Sequence, residues 1–276
     1  MVTGLHRKVT FPAILALLIV TMLSPVGPSQ GNEYTVTPVI RLSYERLMAA
    51  QSVQRALRFL EQADIESDPD GGAISRQSLL ARAGLEYVQT DQAGNMFGVL
   101  RGARTGDTVA VAAGVRSFRA LLLVAQAFKA SGARTVVDVG FYCNMQDAAT
   151  VGFSASGVES LLRNFQSVGA FVYLDEEGAS VIHYPLQSYA SDEAARQNLA
   201  VQAACAAHQS LGVQPKLETL SGGDSTLPIG AGIAAIRLGL GGGILGPQGA
   251  FMTVAGIAGV DGVTAPFVAW SSDPCT

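Results

Sequence analysis

Few residues in this chain are equipped for chemistry, and their spacing narrows the field further. Only three histidines and three cysteines occur in 276 residues. His6 lies in the N-terminal segment, His183 in the apolar run Ser180-Val-Ile-His-Tyr-Pro-Leu186, and His208 in an Ala-rich run. No H-x-x-x-H, H-x-D or C-x-x-C spacing occurs, so no dedicated zinc cluster is legible. A lone strand histidine such as His183 reads as a structural residue with its hydrogen bonds satisfied. Gly152-Phe-Ser154-Ala-Ser156-Gly157 nearly spells the G-x-S-x-G nucleophile elbow, but Ser156 stands where the last glycine belongs, and no spacing supports a triad with His183 or His208. Gly241-Gly-Gly243-Ile-Leu-Gly246 satisfies G-x-G-x-x-G. A dinucleotide site, however, needs a helix N-terminus directly after the glycines. Pro247-Gln-Gly249 follows instead, and Asp261, about 20 residues on, has no helical stretch before it, so the expectation is a Gly-rich surface loop. Cys143 in an apolar strand and Cys205 on an Ala-rich helix read as small buried hydrophobes. With Cys275 the cysteines are odd in number, and one disulfide plus a free thiol fits an oxidising compartment.

Composition excludes whole classes of function. Charged residues are 14%, hydrophobic residues 49%, and Gly 31 of the total, with a mean hydropathy of +0.31. A disordered chain needs the opposite balance. A net charge of −4 and a pI near 5.4 argue against a nucleic-acid partner, whose phosphates require a Lys/Arg surplus. Residues 1–31 follow the plan of a secretory signal peptide. His6, Arg7 and Lys8 form a basic start, and Val9 to Leu23 an apolar stretch of 15 residues. A small-residue exit follows, with Gly27/Ser29 or Ser29/Gly31 as candidate cleavage pairs. A spanning helix wants about 20 apolar residues, so an uncleaved N-terminal anchor is the second choice. Cleavage would leave a secreted or periplasmic (extracytoplasmic) protein, residues 32–276, with no membrane attachment.

These residues must be positioned by a regular framework. Helical spacing predicts helices over 43–63 and about 75–83. Leu85 to Thr90 and Met96 to Arg101, around the Asp91-Gln-Ala-Gly-Asn95 turn, predict a hairpin. From Thr108 onward, strands (108–114, 136–143, 170–175, 180–186, 216–220, 234–240) alternate with helices (118–130, 156–165, 190–211). Near-continuous apolar strands need cover on both faces. The predicted fold is therefore a three-layer α/β/α domain with a mixed, mostly parallel central sheet.

Taken in order, these segments resemble the co-catalytic zinc exopeptidase family of peptidase T, glutamate carboxypeptidase and the aminoacylases. Gly84-Leu-Glu-Tyr-Val-Gln-Thr-Asp-Gln-Ala-Gly-Asn95 and the following Met96 to Gly102 resemble the family's "GL..v..D..GNv.g...G" hairpin, the most specific stretch. Asp147 to Leu162 resembles "EEGLG....GA..L", and Phe171-Val-Tyr-Leu-Asp175 is similar to the strand ending in a metal-ligand Asp. Ser221-Gly-Gly-Asp224-Ser-Thr-Leu-Pro228 to Ala235 resembles "gSTDAN.P...GIPA", and Gly239 to Gly243 its continuation.

The departures bear on function. By this resemblance the family's His-x-Asp pair falls on Gly114-Val115-Arg116, and the catalytic and ligand glutamates fall on Ala148 and Ala149. The loop with the bridging Asp and the last ligand His have no counterpart, and neither does the inserted dimerisation domain. Asp175 alone matches a family ligand. A zinc site needs three or four donors, so the resemblance implies a degenerate member with no zinc, no other cofactor and no catalytic residue. Its role would be binding or structural, through the remnant cleft of Arg116, Asp175 and Asp224. The expected ligand is a small peptide or carboxylate, and an Arg116–Asp175 pair is expected in place of the metal, with Asp224 a more distant partner for the arginine. The alternative is an active metallopeptidase or amidohydrolase, acting on small peptides or N-acyl amino acids through divergent ligands.

Overall fold

Every residue of two strands, β3 (Thr108–Gly114) and β4 (Asp138–Asn144), is buried, as unbroken apolar runs require when a sheet is covered on both sides. The computed structural model describes residues 48–59, 73–104, 106–145, 155–165, 167–175, 180–220, 228, 232–241 and 244–260. Residues 1–31, the near-elbow serine Ser154, and Ala148 and Ala149 lie outside this set. All described elements fall within one compact unit, Val39–Thr276.

The remaining strands are β1 (Glu86–Thr90), β2 (Met96–Leu100), β5 (Val168–Asp175), β6 (Val181–Pro185), β7 (Lys216–Leu220) and β8 (Ala234–Gly239). They form a mixed sheet in the order β1-β2-β4-β3-β5-β8-β6-β7. β3, β4, β5 and β8 are mutually parallel, while β2 and β6 join them antiparallel. The helices are α1 (48–59), α2 (Ala73–Arg82), α3 (Phe118–Ser131), α4 (Ala155–Asn164), α5 (Asp192–Arg196), α6 (Leu199–Ser210) and α7 (Leu245–Ala258). One face of the sheet carries α1, α2, α3, α6 and α7 over Val109, Val111, Phe141 and Val172. The other carries α4, whose Val158 and Leu161 pack with Phe165 on Ala110, Ala112, Tyr142 and Phe171. The three-layer α/β/α prediction holds, and β3 and β4 lie near the middle of the sheet.

Two elements differ from the sequence prediction. The single helix expected over 190–211 is two helices, because Asn198 adopts an extended conformation. Its Oδ1 accepts from Ala200 N at 2.7 Å and so caps α6, an Asn preference strong enough to restart a helix. Where a Gly-rich surface loop is expected after β8, helix α7 begins at Leu245. Pro247 sits in its first turn, where a missing N–H costs nothing. Gly246 is needed because a Cβ there would lie 1.7 Å from Leu240 O. The glycines thus admit the helix against the strand end. No strand follows α7 among the described residues, so the strand-helix-strand unit of a dinucleotide fold is absent from them. Cys143 is a free, buried thiol whose pKa burial pushes up to about 12, and Cys205 is disulfide-bonded. No described helix is long and apolar enough to cross a membrane.

Candidate functional site

Because β3, β4, β5 and β8 run parallel, their C-terminal ends share one edge of the sheet, where open α/β sheets form clefts. Gly114, Asn144, Asp175 and Gly239 end these strands. After Gly114 the chain makes one 3-10 turn, Val115–Ser117, and enters α3. Arg116 lies exposed in that turn, and among the described residues no carboxylate pairs with it.

Asp175 is 8% exposed. Its Oδ2 accepts hydrogen bonds from Arg237 Nε at 2.8 Å and from Arg237 Nη2, and its backbone carbonyl accepts from Leu240 N at 2.8 Å. Arg237 faces Tyr173 across the β5–β8 ladder, and Asp175 faces Gly239. The guanidinium therefore reaches its carboxylate diagonally, across a position that has no side chain. Its Cζ lies 5.9 Å from the Tyr173 ring centroid, within cation–π range. The partner of Asp175 is thus Arg237 on the adjacent strand, where the sequence suggested Arg116. Arg116 has already left its strand, whereas Arg237 is two residues back on the same face. Asp224 lies outside the described residues; β7, which precedes it, ends at Leu220 on the opposite edge of the sheet from Asp175.

Sequence reasoning missed Arg237, yet it left a mark. A single arginine inside Ala234-Ala-Ile-Arg-Leu-Gly-Leu240 is a charge in an apolar strand, and such charges are rarely buried unless paired.

The β1–β2 hairpin brings its tip to the same edge, since Met96 pairs with Cys143. There Asp91 gathers hydrogen bonds. Oδ1 accepts from Ala93 N and Asn95 N, both at 2.9 Å. Oδ2 accepts from Ser160 Oγ at 2.7 Å, and from Tyr142 Oη and Asn95 Nδ2 at 3.0 Å each. Burial works to raise the Asp91 pKa, but the donors from Ser160, Asn95 and Tyr142 outweigh it and hold the carboxyl below its usual range. Asn95 Oδ1 in turn accepts from Met145 N at 3.1 Å. The D-x-x-G-N turn is therefore the clamp that sets where the chain leaves β4. On the opposite edge, an open cleft of about 460 Å³ is lined by Tyr184, Asp192, Arg196, Leu217, Glu218 and Thr219. Asp192 there answers both Tyr184 Oη and Arg196 Nε, the latter at 3.0 Å.

No protein-family model matches the sequence, and no curated protein matches it. Solved structures do resemble the fold. Aminopeptidase PepT from Bacillus cereus superposes with a TM-score of 0.50 at 11% identity, covering 67% of this chain and 92% of that one. A Zn-dependent exopeptidase from Parabacteroides distasonis gives 0.49 at 12% identity, over 77% and 97%. Legionella pneumophila LapA aminopeptidase gives 0.48 at 12%, over 88% and 78%. The chain has a zinc-exopeptidase-like fold, and at these identities the likeness concerns the fold alone.

The described residues do not fit a zinc ion. They contain no group of three or more His, Cys, Asp or Glu able to hold one. The Asp175 carboxylate is engaged by a guanidinium. Gly114 offers no donor, and a Cβ built on it would meet the Tyr173 hydroxyl at 3.4 Å.

Proposed function

We propose that this chain is an exported, zinc-exopeptidase-like protein that binds a small carboxylate ligand, such as a peptide C-terminus, and does not hydrolyse it. The observation that carries this reading is Arg116. It is an exposed guanidinium with no carboxylate partner among the described residues, at the strand-end edge where this architecture places ligands. A planar guanidinium suits a carboxylate because its donors form two parallel hydrogen bonds. Asp175, already answered by Arg237, does not compete for it. Residues 1–31 serve as the signal peptide, and 32–276 form the single mature domain. The disulfide on Cys205 supports export, since such bonds persist in oxidising compartments. With Cys143 free, Cys275 is the partner that the cysteine count leaves.

Isothermal titration of the mature protein with dipeptides and N-acetyl amino acids, against their C-terminal amides, tests the reading. Binding of the free acids only, lost in Arg116→Ala with the Tm unchanged, is expected. Equal binding of acid and amide, no binding of either, or zinc-dependent hydrolysis of the same compounds would overturn it.

A further inference from the structure

We propose that Arg237 is a built-in cation that neutralises Asp175 in place of a metal ion, making this edge of the fold self-sufficient without divalent metal. A carboxylate withdrawn from water needs a positive partner. In a zinc site that partner is the ion, and three or four donors share it. At the end of β5 the partner is covalently part of β8. Arg237 and Asp175 side chains are 19% and 11% exposed, so both charges are largely desolvated and they pair with each other. Three features hold the guanidinium in place. The ladder sets Arg237 two residues behind Asp175 on the same face, Gly239 leaves the diagonal path clear, and the Tyr173 ring lies beneath the cation. Tyr173 Oη lies near Gly114, 3.4 Å from where a Cβ would stand. Gly114, which ends the next strand, offers no side-chain ligand. A metal at Asp175 Oδ2 would have to displace Arg237, whose Nε and Nη2 both donate to that oxygen.

The test is thermal unfolding of the mature protein after EDTA dialysis, with and without ZnCl2. Wild-type Tm should move by less than about 1 °C, whereas a tightly held zinc ion would raise it by roughly 5–10 °C at 100-fold saturation. Arg237→Met should lower Tm by roughly 5–10 °C or more, because it takes the paired cation away from a buried carboxylate. Arg237→Lys should lose less, keeping the charge but not the fork. Asp175→Asn combined with Arg237→Met should regain at least half of the loss, the mark of two coupled charges. If Arg237→Met does not fold, the double variant and the wild-type zinc titration still decide. A zinc-induced rise in wild-type Tm that Asp175→Asn abolishes would overturn the proposal. So would an Arg237→Met protein as stable as wild type, or a double variant no better than the single. None of these readouts depends on carboxylate binding at Arg116, so the two proposals stand or fall separately.

Discussion

His208 is 2% exposed, and its Nδ1 lies 2.8 Å from the carbonyl of Ala204 one turn back. Facing a carbonyl, Nδ1 carries the proton in the neutral ring. The ring stands against α7, where a Cβ on Gly249 would come within 3.1 Å of Nε2. Among the described residues no carboxylate pairs with it, and burial lowers its pKa below the ordinary 6.5. The unfolded chain therefore binds a proton more readily than the folded one. The stability His208 supplies is complete above about pH 6.5 and is lost as pH falls from there through the depressed folded value. Tm of the wild type should fall between pH 7 and pH 5, and His208→Gln should flatten that part of the profile. An unchanged slope in the variant would assign the acid sensitivity elsewhere.

Three elements meet at the Asp91 carboxylate: the hairpin that carries it, β4 through Tyr142, and α4 through Ser160. The only described helix on its face of the sheet, α4 is held there by Val158, Leu161 and this polar tie. Removing the carboxylate takes the acceptor away from Ser160 Oγ and Tyr142 Oη, and an unsatisfied buried donor costs about 1–3 kcal/mol. Asp91→Ala should therefore destabilise the protein by about 2–4 kcal/mol, as measured by urea unfolding. Asp91→Asn should recover only part, since an amide has one acceptor oxygen in place of two. A loss below about 0.5 kcal/mol, the range of ordinary surface substitutions, would show that α4 docks by apolar contact alone.

Across the whole molecule, burial peaks in the centre of the sheet and falls toward both edges. β3 and β4 are buried throughout, while β1 has no buried residue and β7 ends in one, Leu220. Local opening free energies follow such gradients. Native-state hydrogen exchange should find the slowest amides in β3, β4 and β5, and exchange in β1 and β7 faster by several decades. Equal protection across all eight strands would contradict this order. Edge strands with bare N–H and C=O groups invite pairing with other chains. Here the edges carry charges, Glu86 on β1 and Lys216 with Glu218 on β7.

The α/β/α architecture was legible because its cause is local. Unbroken apolar runs such as Thr108–Gly114, and 3.6-residue spacing in Phe118–Ser131, state which faces are buried before any partner is known. The D-x-x-G-N turn was legible for the same reason, since Asp91 and Asn95 bond across their own turn. Helix α7 was hidden because Gly246, Pro247 and Gly249 look like loop residues, and only the carbonyl of Leu240 pressing on Gly246 explains them. The partner of Asp175 was hidden more deeply. Arg237 stands 62 residues away, and nothing in the order of residues says that β8 will lie beside β5. Strand order is set by how the layers close around the whole core, and it is strand order that chose Arg237 over Arg116.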